Sequence, residues 1–164
     1  RLVYPIRNLY GDIVNVGGRT LDPNWKEKNL RKYNYFYKWG TIDVIYGLFE
    51  HYDSIKTKHE VIVFEGAKSV YLADTWGINN GVAILTSHLN ESQMKQLIKL
   101  GCNVVFALDK DVEIYKDKNI KRLCNYVNVS FIYDSKNLID EKDSPVDKGE
   151  ETFKQLYTDR FRYR

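Results

Sequence analysis

The pattern of hydrophobic and polar positions changes near residue 60. After that point, short continuous apolar runs alternate with segments in which apolar residues recur at helical spacing. Before it, two short β-prone runs are followed by polar, basic and tyrosine-rich sequence without a clear period. The pattern therefore predicts an α/β domain that is preceded by a β-rich segment.

Strands and helices alternate in the predicted α/β domain. The apolar runs are rich in β-branched and aromatic residues, which suits strands buried on both faces, and they fall at residues 61–64, 82–85, 104–108 and 129–133. Helices are predicted at residues 69–76, 90–100, 112–126 and 150–157. Asn90 and Gly101 are suitable caps for the second helix. This order predicts a parallel sheet with right-handed crossovers and flanking helices.

The first part of the chain contains a predicted β-hairpin. Residues 2–6 and 13–16 are β-prone, and Gly11 and Asp12 between them suit a turn. Gly17 and Gly18 then permit a bulge or the close approach of another group to the backbone. A helix is expected to begin near Thr41, because apolar residues at positions 42–49 can share one helical face.

Basic residues are concentrated in this first part. Residues 1–38 carry eight Lys or Arg against three Asp or Glu, and the remainder carries 17 against 19, so a +5 segment precedes a −2 body. A basic segment of this kind indicates a polyanionic partner such as nucleic acid. Tyr33, Tyr35 and Tyr37 alternate with polar residues among these charges, which fits either stacking on single-stranded bases or an exposed edge strand.

Composition excludes several classes of protein. No run approaches the roughly 18 apolar residues that a membrane span requires. Cys102 and Cys124 stand far apart without a C-x-x-C pair, which excludes a zinc ribbon and argues against a disulfide framework. We therefore expect a cytoplasmic protein with reduced thiols and no membrane partner. The sequence begins in strand-like residues without Met, so it is interpreted as a piece of a longer protein.

Acidic residues follow the predicted strands at the edge where parallel sheets bind ligands. Glu65 follows the first strand, and Asp109 and Asp111 follow the third, two positions apart and therefore on the same side. If these strands are neighbours, the three carboxylates converge and require a cation. Carboxylate oxygens suit Mg²⁺ or Mn²⁺, which points to phosphoryl or nucleotidyl transfer. The competing interpretation is solvation or helix capping, for example by Asp111.

These residues resemble the TOPRIM domain, which bacterial primases, topoisomerases and several nucleases share. Its hallmarks are a Glu-Gly after the first strand, matched by Glu65-Gly66, and an Asp-x-Asp after the third, matched by Asp109 and Asp111. Residues 1–8, Gly11 and residues 14–21 look like the hairpin that precedes TOPRIM in bacterial primases, and residues 37–40 and 46–48 resemble the link between them. The resemblance implies two units: residues 1–58, part of the N-terminal polymerase subdomain, and residues 59–164, the TOPRIM domain.

The resemblance also implies an enzyme and its metal ligands. Glu65, Asp109 and Asp111 would be catalytic and would hold Mg²⁺ or Mn²⁺ against a nucleoside triphosphate. In the acidic loop after the fourth strand, Asp140 corresponds to the first Asp of the family's Asp-Pro-Asp and Asp143 stands in for the second, so both would join the ligands. The implied activity is that of a primase, a DNA-directed RNA polymerase of nucleotidyltransferase chemistry that makes short RNA primers during replication.

Basic residues matched by the resemblance would contact template phosphates or the nucleotide; they are Arg7, Arg19, Lys28 and Lys38. The implied partners are a single-stranded DNA template, nucleoside triphosphates and a replicative helicase. A zinc-binding domain, part of the polymerase subdomain and a helicase-binding region are expected to lie outside this sequence.

Three positions depart from the family's pattern. Ser69 stands where primases commonly carry an aspartate, Lys110 replaces the glycine between the paired aspartates, and Lys142 falls on the second Asp of the Asp-Pro-Asp. Two alternatives to a primase stay open, and the changes at Ser69 and Lys110 favour the second of them. One is a TOPRIM nuclease that uses the same carboxylates to hydrolyse a phosphodiester, and the other is a degenerate, non-catalytic DNA-binding module of a mobile element or phage.

Overall fold

The computed structural model describes the backbone of residues 1–163 and the side chains of residues 1–114 and 116–163. The strands are β1 (Leu2–Arg7), β2 (Ile13–Arg19), β3 (Tyr33–Tyr35), β4 (Glu60–Phe64), β5 (Gly81–Ala83), β6 (Asn103–Ala107), β7 (Val129–Phe131) and β8 (Phe161–Arg162). The helices are α1 (Tyr52–Lys58), α2 (Ala67–Thr75), α3 (Glu91–Leu100), α4 (Lys118–Leu123) and α5 (Glu150–Thr158), with a 3₁₀ turn at Ile114–Lys116. Among residues 1–163, no helix has the length and apolar character needed to cross a membrane.

The later strands form one five-stranded sheet in the order β5-β4-β6-β7-β8. The first four of these strands run parallel to one another, and β8 adds an antiparallel edge. The predicted α/β fold with a parallel sheet and flanking helices is therefore confirmed. Strand β8 is only two residues long and both are exposed, so it carries no apolar pattern from which it could be predicted.

Helices cover both faces of this sheet. Successive side chains of a strand point to opposite faces, so each strand contributes to two separate cores. On one face, Val63 and Phe106 pack with apolar residues of α1, α3 and α4. On the other, Phe64 and Val105 pack with residues of α2 and α5. Burial on both faces explains why β4 and β6 have continuous apolar sequence instead of an alternating pattern.

The predicted hairpin is confirmed as the antiparallel pair β1 and β2, with β3 added as a third strand. Gly11 occupies the turn with a φ of +88°, a conformation that favours glycine. Tyr4 of β1 packs edge-on against the rings of Tyr46 and Tyr71, so the hairpin shares a core with α2. The ring of Tyr4 also lies against Gly17, as expected of a glycine approached closely by another group.

The helix predicted near Thr41 is wrong. Residues 41–45 are irregular, Tyr46 forms a β-bridge, residues 47–51 form turns, and α1 begins only at Tyr52. The backbone of Tyr46 pairs with that of Ala83 through two hydrogen bonds of 2.8 and 2.9 Å. This bridge places Tyr46 beside the edge strand β5 in an antiparallel direction. Ile45 and Leu48 are buried, so their apolar character serves the core without a helix.

The long helix predicted at residues 112–126 is also wrong in its extent. It is divided into a 3₁₀ turn and the short helix α4 at Asp117, whose backbone is extended. The Asp117 carboxylate accepts hydrogen bonds from the N–H groups of Asn119 and Ile120 and so starts a new helix. By contrast, α3 begins at Asn90 with a reciprocal capping box and ends at Gly101, as predicted.

Candidate active site

Two strand ends place the central carboxylates together. Strands β4 and β6 are neighbours, and their last residues, Phe64 and Ala107, are partners in the register. Glu65 follows β4 directly, and Asp109 lies two residues beyond β6. Parallel strands present their carboxyl ends at one edge of the sheet, so the adjacency that the sequence argument requires is met.

The strand ends border an opening of about 540 Å³ that we call the acidic cleft. Its lining comprises Lys32, Glu65, Ser87, His88, Asp109, Asp111, Val112, Glu113, Lys116, Asp117 and Lys142. A smaller space of about 140 Å³, the inner pocket, shares Lys32, Glu65, Asp109 and Lys142 with the cleft. The rest of its lining is formed by Arg19, Tyr33, Gly66, Lys68, Ser69, Ser144 and Asp147.

Negative charge is concentrated at this edge. Burial and, after it, the nearby charges of Glu65, Asp147 and Asp111 together raise the pKa of Asp109 to about 7, and the charge of Lys32 opposes this shift. The pKa of Glu65 is also raised, first by burial and then by Asp111. These shifts indicate carboxylates that repel one another in partly desolvated surroundings.

Lys110 separates two of the carboxylates but takes no part in lining the cleft or the inner pocket. Its ammonium donates hydrogen bonds of 2.8 Å to Asp134, to Asn137 and to the carbonyl oxygen of Ile139. The side chain of Asp134 is 2% exposed, so this ion pair is largely buried. The departure from glycine therefore supplies a structural contact to the following loop.

Ser69 is held in a buried hydrogen bond. Its hydroxyl lies 2.9 Å from that of Ser144, and the two residues are 4% and 5% exposed. Both line the inner pocket, together with Asp147 from the same loop as Ser144. Sequence reasoning did not assign Asp147 to the site, because its position depends on contacts between distant residues.

Asp140 and Asp143, predicted as further metal ligands, are not brought to the cleft. Lys148 binds both of them, at 2.5 Å and 3.3 Å respectively. Asp143 also accepts a hydrogen bond from the backbone N–H of Asp140. Neither residue lines the acidic cleft or the inner pocket. Lys142, between them, does line both.

Of the four basic residues predicted to contact nucleic acid or nucleotide, one lies at the site. Arg19 lines the inner pocket and donates a hydrogen bond of 2.5 Å to the hydroxyl of Tyr33. Arg7 instead pairs with Glu50, and its guanidinium donates to the carbonyl of Gly11. Neither Lys28, which pairs with Asp22 at 2.7 Å, nor the exposed Lys38 lines the cleft or inner pocket.

Lys32 is a basic residue of the site that sequence reasoning missed. It lines the cleft and the inner pocket, and its charge lowers the pKa of both Glu65 and Asp109. It directly precedes Tyr33, so the basic, tyrosine-rich segment signalled its neighbourhood without singling it out. Tyr33 is half-buried beside Arg19, whereas Phe36 and Tyr37 beyond β3 are 81% and 66% exposed.

The chemistry of the carboxylates fits a divalent cation. Glu65, Asp109 and Asp111 offer oxygen ligands, and the pKa values of the first two are raised by burial and then by mutual repulsion, which a cation would relieve. Among residues 1–114 and 116–163, no group of three or more His, Cys, Asp or Glu side chains is arranged to hold a metal ion as it stands. To hold an ion together, Glu65, Asp109 and Asp111 would therefore have to move closer to one another.

The parallel sheet, the carboxylates after β4 and β6 and the preceding hairpin together define the class: a TOPRIM fold with the hairpin of a primase core. No family model matches the sequence. A prophage-derived uncharacterized protein of Bacillus subtilis is 30% identical over 181 residues, which cover 94% of this chain and 48% of that protein. The DNA primase of Halalkalibacterium halodurans is 35% identical over 112 residues, or 68% of this chain and 18% of the primase.

Solved structures share the fold. The zinc-binding and RNA polymerase domains of the Aquifex aeolicus primase match 99% of this chain with a TM-score of 0.73 and 22% identity, and the match covers 41% of that protein chain. A DnaG primase catalytic domain bound to single-stranded DNA matches 98% of this chain with a TM-score of 0.71 and 20% identity, over 53% of its own length. The chain is thus related in sequence to bacterial DNA primases and has the fold of the DnaG catalytic core, of which it spans about half.

Proposed function

We propose that this chain is the metal-binding part of a primase and acts in the synthesis of short RNA primers on single-stranded DNA. The observation that carries the proposal is that Glu65 and Asp109 share the lining of one pocket with Lys32 and Arg19. Carboxylates that bind a divalent metal, beside cations that bind phosphate oxygens, fit a nucleoside triphosphate. The relationship to DNA primases supports primer synthesis as the use of that chemistry.

Glu65, Asp109 and Asp111 would hold Mg²⁺ or Mn²⁺. When bound, the ion neutralises charge on the phosphates and lowers the pKa of the attacking hydroxyl group. Asp109 holds its proton up to about pH 7, so protons compete with the metal and metal binding should strengthen as the pH rises. Lys32 limits this competition because it favours the ionised forms of Glu65 and Asp109.

The hairpin and the segment up to β3 would hold the nucleotide and the template. Arg19 and Lys32 lie where they can reach a triphosphate bound at the carboxylates. Lys38 is exposed and free of the fold's core, which suits contact with template phosphate. Arg7 and Lys28 are engaged by Glu50 and Asp22, so their part in binding remains a prediction.

The division into a polymerase-subdomain segment, residues 1–58, and a TOPRIM domain, residues 59–164, is part of this proposal. A single-stranded template is supported by the related catalytic domain that was solved with single-stranded DNA. Nucleoside triphosphates and a replicative helicase are proposed as the remaining partners. The match covers 18% of the primase of Halalkalibacterium halodurans, so complete primer synthesis is expected to need further regions of a primase besides this one.

The first test measures metal-dependent binding of a nucleoside triphosphate to the chain. Fluorescent ATP should bind in the presence of Mg²⁺ or Mn²⁺, and Glu65→Gln and Asp109→Asn should each abolish the metal-dependent part. The same changes in a primase polypeptide that includes this sequence should abolish incorporation of labelled ribonucleotides on single-stranded DNA while leaving DNA binding intact. Primer synthesis that survives Asp109→Ala would contradict the assignment.

Two further outcomes identify the alternatives. Release of nucleotides from DNA without added triphosphate indicates a nuclease that uses the same carboxylates. DNA binding with no response to metal in the parent chain indicates a non-catalytic DNA-binding module. Either result would contradict the primase proposal and support the corresponding alternative.

A further inference from the structure

The inner pocket contains a carboxylate that neither strand end supplies. Asp147, in the loop between β7 and α5, lines this pocket with Glu65 and Asp109. One of its carboxylate oxygens accepts a hydrogen bond of 2.6 Å from the ammonium of Lys68, and the other accepts one of 3.1 Å from the backbone N–H of Ser144. Asp147 is therefore held in a fixed position at the wall of the site.

A buried hydrogen bond places this loop against α2. The hydroxyls of Ser69 and Ser144 meet at 2.9 Å, and this contact fixes the start of the turn that carries Asp147. Ser69 itself lines the inner pocket, so an aspartate at that position would add a carboxylate to the same space. The chain lacks that carboxylate on α2 and has one in the loop that packs beside it.

The other acidic residues of the loop are placed differently. Asp140 and Asp143 both bind Lys148, and neither lines the cleft or the inner pocket. Asp147, by contrast, lines the inner pocket together with Glu65 and Asp109. Asp147 is thus the aspartate of this loop whose position connects it to the proposed metal ligands.

We propose that Asp147 is a metal ligand of the site, in place of the carboxylate absent at Ser69, and that Lys68 is its counter-ion in the metal-free protein. This inference rests on the proposed function, because it requires a metal ion at Glu65 and Asp109. The side chains of Lys68 and Asp147 are 39% and 23% exposed, so their ion pair can open toward water at little cost. A divalent cation then replaces the ammonium as the charge that neutralises Asp147.

The test measures Mn²⁺ binding without nucleotide or DNA. Electron paramagnetic resonance reports the concentration of the free ion during the titration. Asp147→Asn should weaken binding about tenfold, as loss of a ligand or its direct support does. Asparagine keeps an oxygen that accepts the N–H of Ser144, so the loop should hold its shape. Lys68→Met should instead strengthen binding by about threefold, because Asp147 loses its competing cation. This gain should vanish when Asp147→Asn is also present.

Opposite effects of the two variants separate a ligand from a structural ion pair. If Lys68→Met weakens Mn²⁺ binding as Asp147→Asn does, the pair only fixes the loop and the inference is overturned. Glu141→Gln removes a charge from the same loop outside both openings and should change affinity less than about twofold. A loss equal to that of Asp147→Asn would also overturn it. If Asp147→Asn does not fold, as judged by circular dichroism, the absence of any gain in Lys68→Met decides against the inference.

Asp109→Asn distinguishes this inference from the proposed function. Mn²⁺ binding that is unchanged in Asp109→Asn refutes the metal site itself. Binding that is abolished in Asp109→Asn but unchanged in Asp147→Asn leaves the site in place and refutes only the role of Asp147.

Discussion

The ammonium of Lys110 lies 2.8 Å from a carboxylate oxygen of Asp134, which joins the Asp-x-Asp segment to the loop after β7. The same ammonium binds Asn137 and the carbonyl of Ile139. Burial raises the pKa of Asp134, but the hydrogen bonds from Lys110 and from the loop backbone outweigh it and lower the pKa to about 2. A lysine between two proposed metal ligands is thus neutralised away from them.

Lys110→Ala should lower the free energy of unfolding at pH 7 by about 3 kcal/mol, because it leaves the buried Asp134 without its cation. The pKa of Asp134 lies below its unfolded value, so its stabilising contribution is complete above about pH 4 and is lost as the pH falls toward 2. The difference between the two proteins should therefore narrow on acidification. Urea denaturation at pH 7 and pH 3 measures it.

Lys148→Ala is the matched control for this prediction. Lys148 also binds aspartates, but its side chain is 41% exposed and that of Asp140 is 79% exposed. Its removal should lower the free energy of unfolding far less than Lys110→Ala does, because water and salt screen an exposed ion pair. A Lys110→Ala protein as stable as the parent would show that Asp134 does not need this cation.

The buried strands could be predicted because their continuous apolar sequence indicates burial on both faces. Strands β4 and β6 are covered on both faces, and only apolar side chains tolerate that position without partners. The segment around Tyr46 could not be predicted in the same way. Its backbone pairs with Ala83, more than 30 residues away, and this pairing overrides the helical spacing of Ile45 and Leu48.

The candidate site divides along the same line. Glu65, Asp109 and Asp111 could be placed together because they follow strands, whose ends are ordered by the sheet. Lys32 and Asp147 lie in loops, and their positions depend on contacts such as the bond between Ser69 and Ser144, which stand 75 positions apart in sequence. Contacts between residues so far apart in sequence cannot be predicted from the spacing of residues along the chain.

Asp109→Asn should stabilise the metal-free protein at alkaline pH. The pKa of Asp109 is raised to about 7, so the folded state binds this proton more firmly than the unfolded state and stability falls as the pH rises from about 4 through 7. Asparagine removes this loss and should add about 2 kcal/mol at pH 8, after allowance for solvent screening, and little at pH 4. Mg²⁺ should stabilise the parent and not the variant. Thermal unfolding at both pH values, with and without Mg²⁺, checks these outcomes, and equal stability at pH 8 would contradict them.

Gly17→Ala and Gly18→Ala should differ in their effect on stability. A methyl group at Gly17 would overlap the ring of Tyr4, which packs against Tyr46 and Tyr71 between the hairpin and α2. We expect a loss of about 2 kcal/mol from this overpacking. At Gly18 the nearest atom lies 3.5 Å from the new carbon, so the change should stay within about 0.5 kcal/mol. Urea denaturation compares the two, and equal values would show that the Tyr4 contact is not tight.

Lys32 and Lys28 form a matched pair of lysines that tests whether the nucleotide binds at the acidic cleft and the inner pocket. Lys32 lines both openings, whereas Lys28 pairs with Asp22 and lines neither. Lys32→Ala should weaken Mg²⁺-dependent binding of fluorescent ATP by about tenfold, and Lys28→Ala by less than about twofold. Because Lys32 lowers the pKa of Glu65 and Asp109, its loss should also move the pH midpoint of metal-dependent binding upward. Equal losses in the two variants, with no change in the midpoint, would mean that the basic segment acts by its total charge and that Lys32 has no specific place at the carboxylates.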